Sequence, residues 1–193
     1  MNKINVIHIL PSLEIGGMEN GVVNLVNGID RAMFRPLVCC LEREGPLKER
    51  ITNDVKIYNL KQKEGIRLLL VKELKRIFLE EEVGIVHTHN FYTAVYGIIA
   101  ARLAKVPVII HGEHGLAGQV KGKRKIILKI LSGFVDLVLT VSEDLKDCLI
   151  NNIGINREKI NVVANGIDLA KFYGNPESGK ENSGINKGKG DLI

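Results

Sequence analysis

The residues with the richest chemistry fall in two short runs. His87-Thr88-His89-Asn90 sets two imidazoles two positions apart, and His111-Gly112-Glu113-His114-Gly115 adds two more and a carboxylate. On an extended backbone His87 and His89 point the same way, with Thr88 opposite. A neutral imidazole hydrogen-bonds a sugar hydroxyl or a phosphate, or moves a proton in catalysis. The same side chains also read as a metal set. His87 or His89 with His111, Glu113 or His114 would suit zinc and a hydrolytic reaction. The remaining histidine, His8, stands inside an apolar run and reads as a buried structural residue.

Two further runs carry glycine where a ligand or a turn would need it. Pro11–Glu19, PSLEIGGME, leads from an apolar run into a helical pattern. Gly16 and Gly17 let the backbone approach a ligand closely, and the helix that follows offers unpaired N–H groups and a positive dipole end. That suits a phosphate, although a tight turn uses such a pair equally well. Asn165-Gly166-Ile167-Asp168 is built of turn formers and reads first as a turn. Neither GxGxxG nor GxxxxGK[ST] occurs, which argues against a standard dinucleotide fingerprint and against P-loop hydrolysis.

All these runs sit at the ends of strand-length apolar segments. Ile4–Leu10, Pro36–Leu41, Val55–Leu60, Gly84–Thr88, Pro107–His111, Leu137–Val141 and Ile160–Val163 read mostly as continuous Val/Ile/Leu stretches. Continuous stretches are expected when both faces of a parallel sheet are covered. Helical stripes lie between them. Val22, Leu25, Val26 and Ile29 make one, and Ile66, Leu69, Leu70, Leu74, Ile77 and Phe78 a longer one. Tyr92–Ala104 is apolar nearly all round, and Ser142 is a natural N-cap for a helix starting at Glu143. The alternation predicts an α/β, Rossmann-like doubly wound parallel sheet of about seven strands. Ligands of such sheets bind beyond the carboxyl ends of the strands, where every run above falls.

Bulk properties narrow the class further. A chain of 193 residues with 45% hydrophobic content fits one folded domain. The net charge of +5 suits an acidic ligand or an anionic membrane surface, as well as plain solubility. No segment reaches the roughly 18 apolar residues of a membrane span. The run Ile4–Leu13 is broken by His8 and Pro11, so it reads as a first strand and not a secretion signal. Cys39, Cys40 and Cys148 show no framework spacing, as in a reduced, cytoplasmic protein, and adjacent Cys39 and Cys40 should face opposite sides of a strand. A basic helix over 121–134 carries Lys121, Lys123, Arg124, Lys125 and Lys129. Its stripe Ile127, Ile130, Leu131 and Phe134 is expected to lie on the sheet. The other reading is a peripheral contact with an anionic membrane. Few aromatics and no interleaving with basic residues exclude nucleic-acid binding.

No single motif is specific, but their order is. A GGxE loop after the first strand, HTHN at one strand end, HGEHG at the next, VSE after the following one, then NGID with Phe172, resembles the N-terminal domain of glycosyltransferase family 4. The resemblance runs from Ile4 to Phe172. It implies one half of a GT-B fold, in which two Rossmann-like domains face across a cleft, and a retaining transfer from a nucleotide-sugar to a sugar or lipid-linked acceptor. On that resemblance Gly16 and Gly17 border the donor diphosphate. His114 is the cleft histidine, with His111 the competing choice because both precede a glycine. Glu19, His89, Asn90, His111 and Glu113 line the acceptor side. Asn165, Gly166 and Asp168 form the hinge. No metal or other cofactor is implied, since positive charge and helix N-termini can stabilise a departing diphosphate.

The resemblance has one large departure. The family's second domain carries an E-x7-E element and the basic residues that hold the nucleotide diphosphate, and nothing here matches them. The folded half is expected over residues 1–173, with 174–193 a linker leading to an absent donor-binding domain. The chain alone is therefore expected to have little transferase activity. The alternative is a stand-alone half that docks on a donor-binding subunit or a membrane.

Overall fold

A computed structural model describes residues 3–61, 68–115 and 121–164. The strands are β1 (Ile4–Ser12), β2 (Phe34–Arg43), β3 (Lys56–Asn59), β4 (Val83–His89), β5 (Val108–Glu113), β6 (Leu137–Thr140) and β7 (Ile160–Val162). The helices are α1 (Gly17–Gly28), α2 (Leu68–Glu80), α3 (Asn90–Ala104), α4 (Lys123–Ser132) and α5 (Glu143–Cys148). A short 3-10 turn, Pro46–Arg50, takes the place of a helix between β2 and β3, and α5 runs on through a π-helical turn at Leu149–Ile153. Every predicted strand is present, most of them shifted by one or two residues at the ends. The Ser142 hydroxyl accepts from the Leu145 N–H at 3.2 Å, as its N-cap position requires.

All seven strands are parallel, in the order β3-β2-β1-β4-β5-β6-β7. The order reverses between β1 and β4. Such a switch point opens a crevice at the carboxyl ends of the strands, and His8 of β1 pairs in register with His87 of β4 beside it.

Two cores lie on opposite faces of the sheet. One packs α2, α3, α4 and α5 against Ile7, Ile9, Val86, Ile109 and Val138. The other packs Val22, Val23 and Val26 of α1, with Leu47, against Leu10, Val38 and Cys40. Cys39 and Cys40 divide between the two, as strand alternation demands. Burial pushes the Cys40 thiol up to about 12, and that of Cys39 upward too, so both stay protonated.

The α1 face is covered only over β1, β2 and β3. Among the described residues no helix lies over β4 to β7 on that side. The consequence is visible in the strands: Ile85, Ile110, Leu137 and Leu139 are half-buried, while their neighbours Val86, Ile109 and Val138 on the other face are fully buried.

Three predicted stripes need correction. Leu25 of α1 is 44% exposed, because the core takes Val22, Val23 and Val26 and leaves Leu25 at the edge of the uncovered area. Leu69 is likewise exposed, and the α2 stripe reduces to Leu70, Leu74, Ile77 and Phe78; Ile66 lies outside the described residues. In α4 the buried apolar residues are Leu128 and Leu131. Ile127, Ile130 and Phe134, expected on the sheet, face outward together with Ile126.

Candidate functional site

The uncovered part of the sheet meets the start of α1 in a cavity of about 510 Å³. Its floor is His87, His89 and Gly112 from β4 and β5, with Leu139 and Thr140 of β6 beyond them. His114 stands at the rim, Gly17, Asn20, Asn24 and Leu25 of α1 form one wall, and Val163 with Ala164 another.

Strand alternation explains the floor. His89 pairs with Gly112 and Thr88 with His111. Paired residues of neighbouring strands share a face, so Gly112 joins His87 and His89, while His111 and Glu113 turn to the other side with Thr88. His111 Nδ1 lies 3.0 Å from the Thr88 hydroxyl, and His111 Nε2 lies 3.7 Å from Glu113 Oε2, with ring, hydroxyl and carboxylate all deeply buried. The HGEHG run is thus split by the sheet. His111 and Glu113 do not line the cavity; His114, just past the strand, turns back over Gly112 and does.

Gly112 is where a side chain would crowd the cluster. A Cβ there would sit 3.0 Å from His114 Nε2, 3.1 Å from His87 Nε2 and 3.3 Å from His89 Nδ1. The missing side chain is what lets three imidazoles gather. His89 Nδ1 and His114 Nε2 are 3.0 Å apart, and His8 Nδ1 and His89 Nε2 3.2 Å apart. The His87 and His89 rings lie 4.1 Å centre to centre. His8, expected to be structural, is therefore part of the cluster.

Burial keeps these rings neutral. Desolvation lowers His8 to about 4 and holds His87 and His89 well below the usual imidazole value, with neighbouring histidines adding to the effect on the latter two. His114 is lowered by burial as well, opposed by the Glu113 carboxylate and assisted by His111. Ring nitrogens of His8, His87 and His89 come within 4.8 Å of one another, a spacing a cation could bridge. That trio differs from the metal set the sequence suggested, because His111 and Glu113 are on the far face.

The glycine loop divides its roles. Gly17 opens α1, is exposed and lines the cavity. Gly16 does not line it: the Glu19 carboxylate folds back over Gly16, so that a Cβ there would collide with Glu19 Oε2. Glu19 thereby lies near the amino end of α1, where a negative charge is favoured, and outside the cavity lining. Asn90 is not in the lining either. It holds the left-handed turn between β4 and α3, at φ 67°, with its side-chain oxygen accepting from the Tyr92 N–H at 3.2 Å. Asparagine tolerates that conformation better than most residues. Asn165, Gly166 and Asp168 lie outside the described residues.

Sequence reading missed Asn20, Asn24 and Leu25, and the apolar wall Leu139 and Val163. The first two had a signal, an i, i+4 pair of amides on the polar side of α1.

The known proteins that resemble this chain share its topology. The sequence model of Glycosyltransferase Family 4 matches residues 15–171, well over half of the chain. The chain belongs to glycosyltransferase family 4. Among family relatives, the Escherichia coli UDP-Gal:alpha-D-GlcNAc-diphosphoundecaprenol alpha-1,3-galactosyltransferase is 28% identical over 184 residues, covering 89% of this chain and 47% of that protein. The crystal structure of Anabaena Alr3699/HepE in complex with UDP and glucose superposes with a TM-score of 0.73 at 18% identity, over 90% of this chain and 47% of that one. A UDP-GlcNAc 2-epimerase from Neisseria meningitidis bound to UDP-GlcNAc gives 0.59 at 18% identity, over 84% and 46%. At such identity these structures speak for the fold alone, which is one Rossmann-like half of a GT-B protein. This chain of glycosyltransferase family 4 spans about half the length of the curated relatives it matches.

Proposed function

We propose that this chain is the acceptor-side half of a retaining glycosyltransferase that takes a sugar from a nucleotide-sugar held by a second half. The observation that carries the reading is the histidine-floored cavity at the carboxyl rim of the sheet, in a chain of glycosyltransferase family 4. The folded half occupies 1–173, with 174–193 as the link and Asn165, Gly166 and Asp168 as the hinge. UDP in the Anabaena structure and the lipid diphosphate named for the Escherichia coli relative support a nucleotide-sugar donor and a lipid-linked acceptor.

The chemistry asks little of this half beyond positioning and charge. The acceptor hydroxyl forms the new bond to the anomeric carbon, the bond to the diphosphate breaks, and the hydroxyl proton departs with the nucleoside diphosphate. Gly17 and the free N–H groups opening α1 face the anionic part of the donor. Neutral His114 meets the transferred sugar, and no metal takes part. Without contacts to the nucleotide the chain alone has little activity.

Transfer and hydrolysis of nucleotide-sugars are to be measured on the chain alone and joined to a donor-binding half of the family, with a sugar-diphospholipid acceptor. Transfer by the joined form, lost in His114→Ala, is expected. Absence of both reactions from the joined, folded protein would sink the reading.

A second reading is favoured by one observation. On α4 and just after it, Ile126, Ile127, Ile130 and Phe134 are exposed amid Lys123, Arg124, Lys125 and Lys129. An apolar and basic surface of this kind suits an anionic bilayer, at its cytoplasmic face for this protein. Among the described residues no helix is long and apolar enough to cross a membrane. Flotation with phosphatidylglycerol vesicles, lost on Ile126→Ser with Ile130→Ser, is the expected result. Equal recovery with neutral vesicles would contradict it.

A further inference from the structure

The glycine loop before α1 is held from behind by the end of β2 and the segment that follows it. Leu47 N–H donates to the Leu13 carbonyl at 3.1 Å, and Arg43 Nε donates to Glu14 Oε1 at 2.8 Å. Gly45 passes so close that a Cβ on it would fall 2.2 Å from the Leu13 oxygen. Further along the same segment, Arg50 donates to Asn20 Oδ1. Arg50 is itself fixed. Its carbonyl accepts from Asn27 Nδ2 at 2.7 Å, and Asn27 Oδ1 accepts from the Thr52 N–H at 3.1 Å. Asn20 and Asn27 lie about two turns apart on α1, so Arg50 is anchored along the helix.

Asn20 makes a second bond. Its Nδ2 donates to the Gly16 carbonyl at 2.8 Å, beside the Asn20 backbone N–H at 3.0 Å. The two partners fix the amide. A guanidinium only donates and a backbone carbonyl only accepts, so Oδ1 faces Arg50 and Nδ2 faces Gly16. Turning the amide over would set N–H against N–H and oxygen against oxygen, with both bonds lost. Asn20 is half-buried and lines the cavity, with exposed Asn24 one turn beyond it. The Gly16 bond uses one of the two Nδ2 hydrogens. The other is left on the wall, and the amide oxygen is engaged by a cation.

We propose that Asn20 is a specificity-determining residue whose Nδ2 donates to a hydroxyl or phosphate oxygen of the molecule in the cavity, and that Arg50 is the positioning residue that keeps the amide turned that way. The wall then selects an oxygen at this place, and the Arg50 charge behind the amide disfavours an ammonium group there. The inference rests on the transferase reading for the ligand's identity; the orientation of the amide does not.

The orientation is tested on the chain alone, labelled with nitrogen-15. The Asn20 side-chain amide, assigned by its absence in Asn20→Asp, is expected to exchange with water more slowly than that of Asn24. Arg50→Ala should remove most of that protection, and Arg50→Lys, which restores a donor, should bring part of it back. An Asn20 amide that exchanges like Asn24 in the wild type would overturn the role of Arg50.

The contact is tested in the protein joined to its donor-binding half, with UDP-galactose and a sugar-diphospholipid acceptor. Asn20→Asp keeps the volume and an oxygen for Arg50 but removes both N–H groups, and a carboxylate is tolerated near the start of a helix. It is expected to raise KM for one of the two substrates about 10-fold, with kcat near that of the wild type and melting temperature little changed. Arg50→Ala should raise the same KM by less, and Arg50→Lys should recover it. Wild-type kinetics in folded Asn20→Asp would overturn the proposal. A lower melting temperature with unchanged KM would reduce Asn20 to a support of the loop, and so would overturn it too. Slow exchange on the chain, with no transfer by the joined wild type, would count against the transferase reading alone.

Discussion

His89 ends β4 and His114 follows β5, and the two are joined by a single contact, Nδ1 to Nε2 at 3.0 Å, over the bare backbone of Gly112. The spacing of the two strand ends puts both rings above one residue, and glycine leaves them room without displacement. The contact ties the floor of the cavity to its rim.

Gly112→Ala tests that geometry directly. Its Cβ would press on three imidazoles at 3.0 to 3.3 Å, and the rings must part to admit it. A loss of about 1–3 kcal/mol in urea unfolding is expected, typical of overpacking. A fully stable variant would mean that the cluster is looser than these distances imply.

Stability should fall as the solution is acidified, earlier than carboxylates alone would cause. The folded-state value of His8 lies near 4, below the ordinary 6.5, and His87 and His89 are lowered too. Between those values the unfolded chain binds more protons, so stability rises with pH across that window and is full above about 7. His8 alone contributes about 3 kcal/mol between the two limits. Melting temperature measured from pH 4 to 7 should climb in the wild type and climb less in His8→Phe.

His114 and His111 should separate cleanly by readout. In the protein joined to its donor-binding half, His114→Ala should lower kcat about 100-fold, the loss of one well-placed polar contact, with the fold intact. His111→Ala removes a buried ring that touches Thr88 and should cost about 2–4 kcal/mol of stability. Steady-state kinetics beside thermal melts decide it; the reverse pattern would move the site to the far face of the sheet.

Asn90 holds a left-handed backbone, so its substitutions should sort by conformation and not by polarity. Asn90→Gly should be near neutral, while Asn90→Ala should cost about 1–2 kcal/mol. Equal losses in both would point to the side chain itself, through the Tyr92 N–H or a ligand.

Glu81 is a control far from the cavity. It is nearly buried at the amino ends of the strands and accepts from Lys56 at 2.6 Å, from Arg35 at 3.0 Å and from the Tyr58 hydroxyl. Those bonds lower its carboxyl below the ordinary range. Glu81→Gln should destabilise by about 2 kcal/mol, as charged hydrogen bonds do, and leave ligand binding unchanged. Calorimetry with a nucleotide-sugar on the joined protein checks the second part.

Much of this molecule is legible in its residues. Unbroken Val/Ile/Leu runs spaced by helical stripes point to a parallel sheet covered by helices, and the order of the junction motifs carried the family. Side-chain direction was the harder matter. His111 and His114 look equivalent in sequence, since both precede glycine, and only the register of β5 against β4 sends one to each face. His8 looked structural because a lone histidine in an apolar strand usually is; its partners His87 and His89 are about 80 residues away and are invisible until β1 lies beside β4. The outward turn of Ile127 and Ile130 has the same origin, because a helix with apolar residues on several sides has no preferred face until neighbours claim one. Local pattern determines which elements form and where their ends fall, since propensity and periodicity act over a few residues. Which side chains meet is decided by strand order and register, because those contacts join residues that the chain itself keeps far apart.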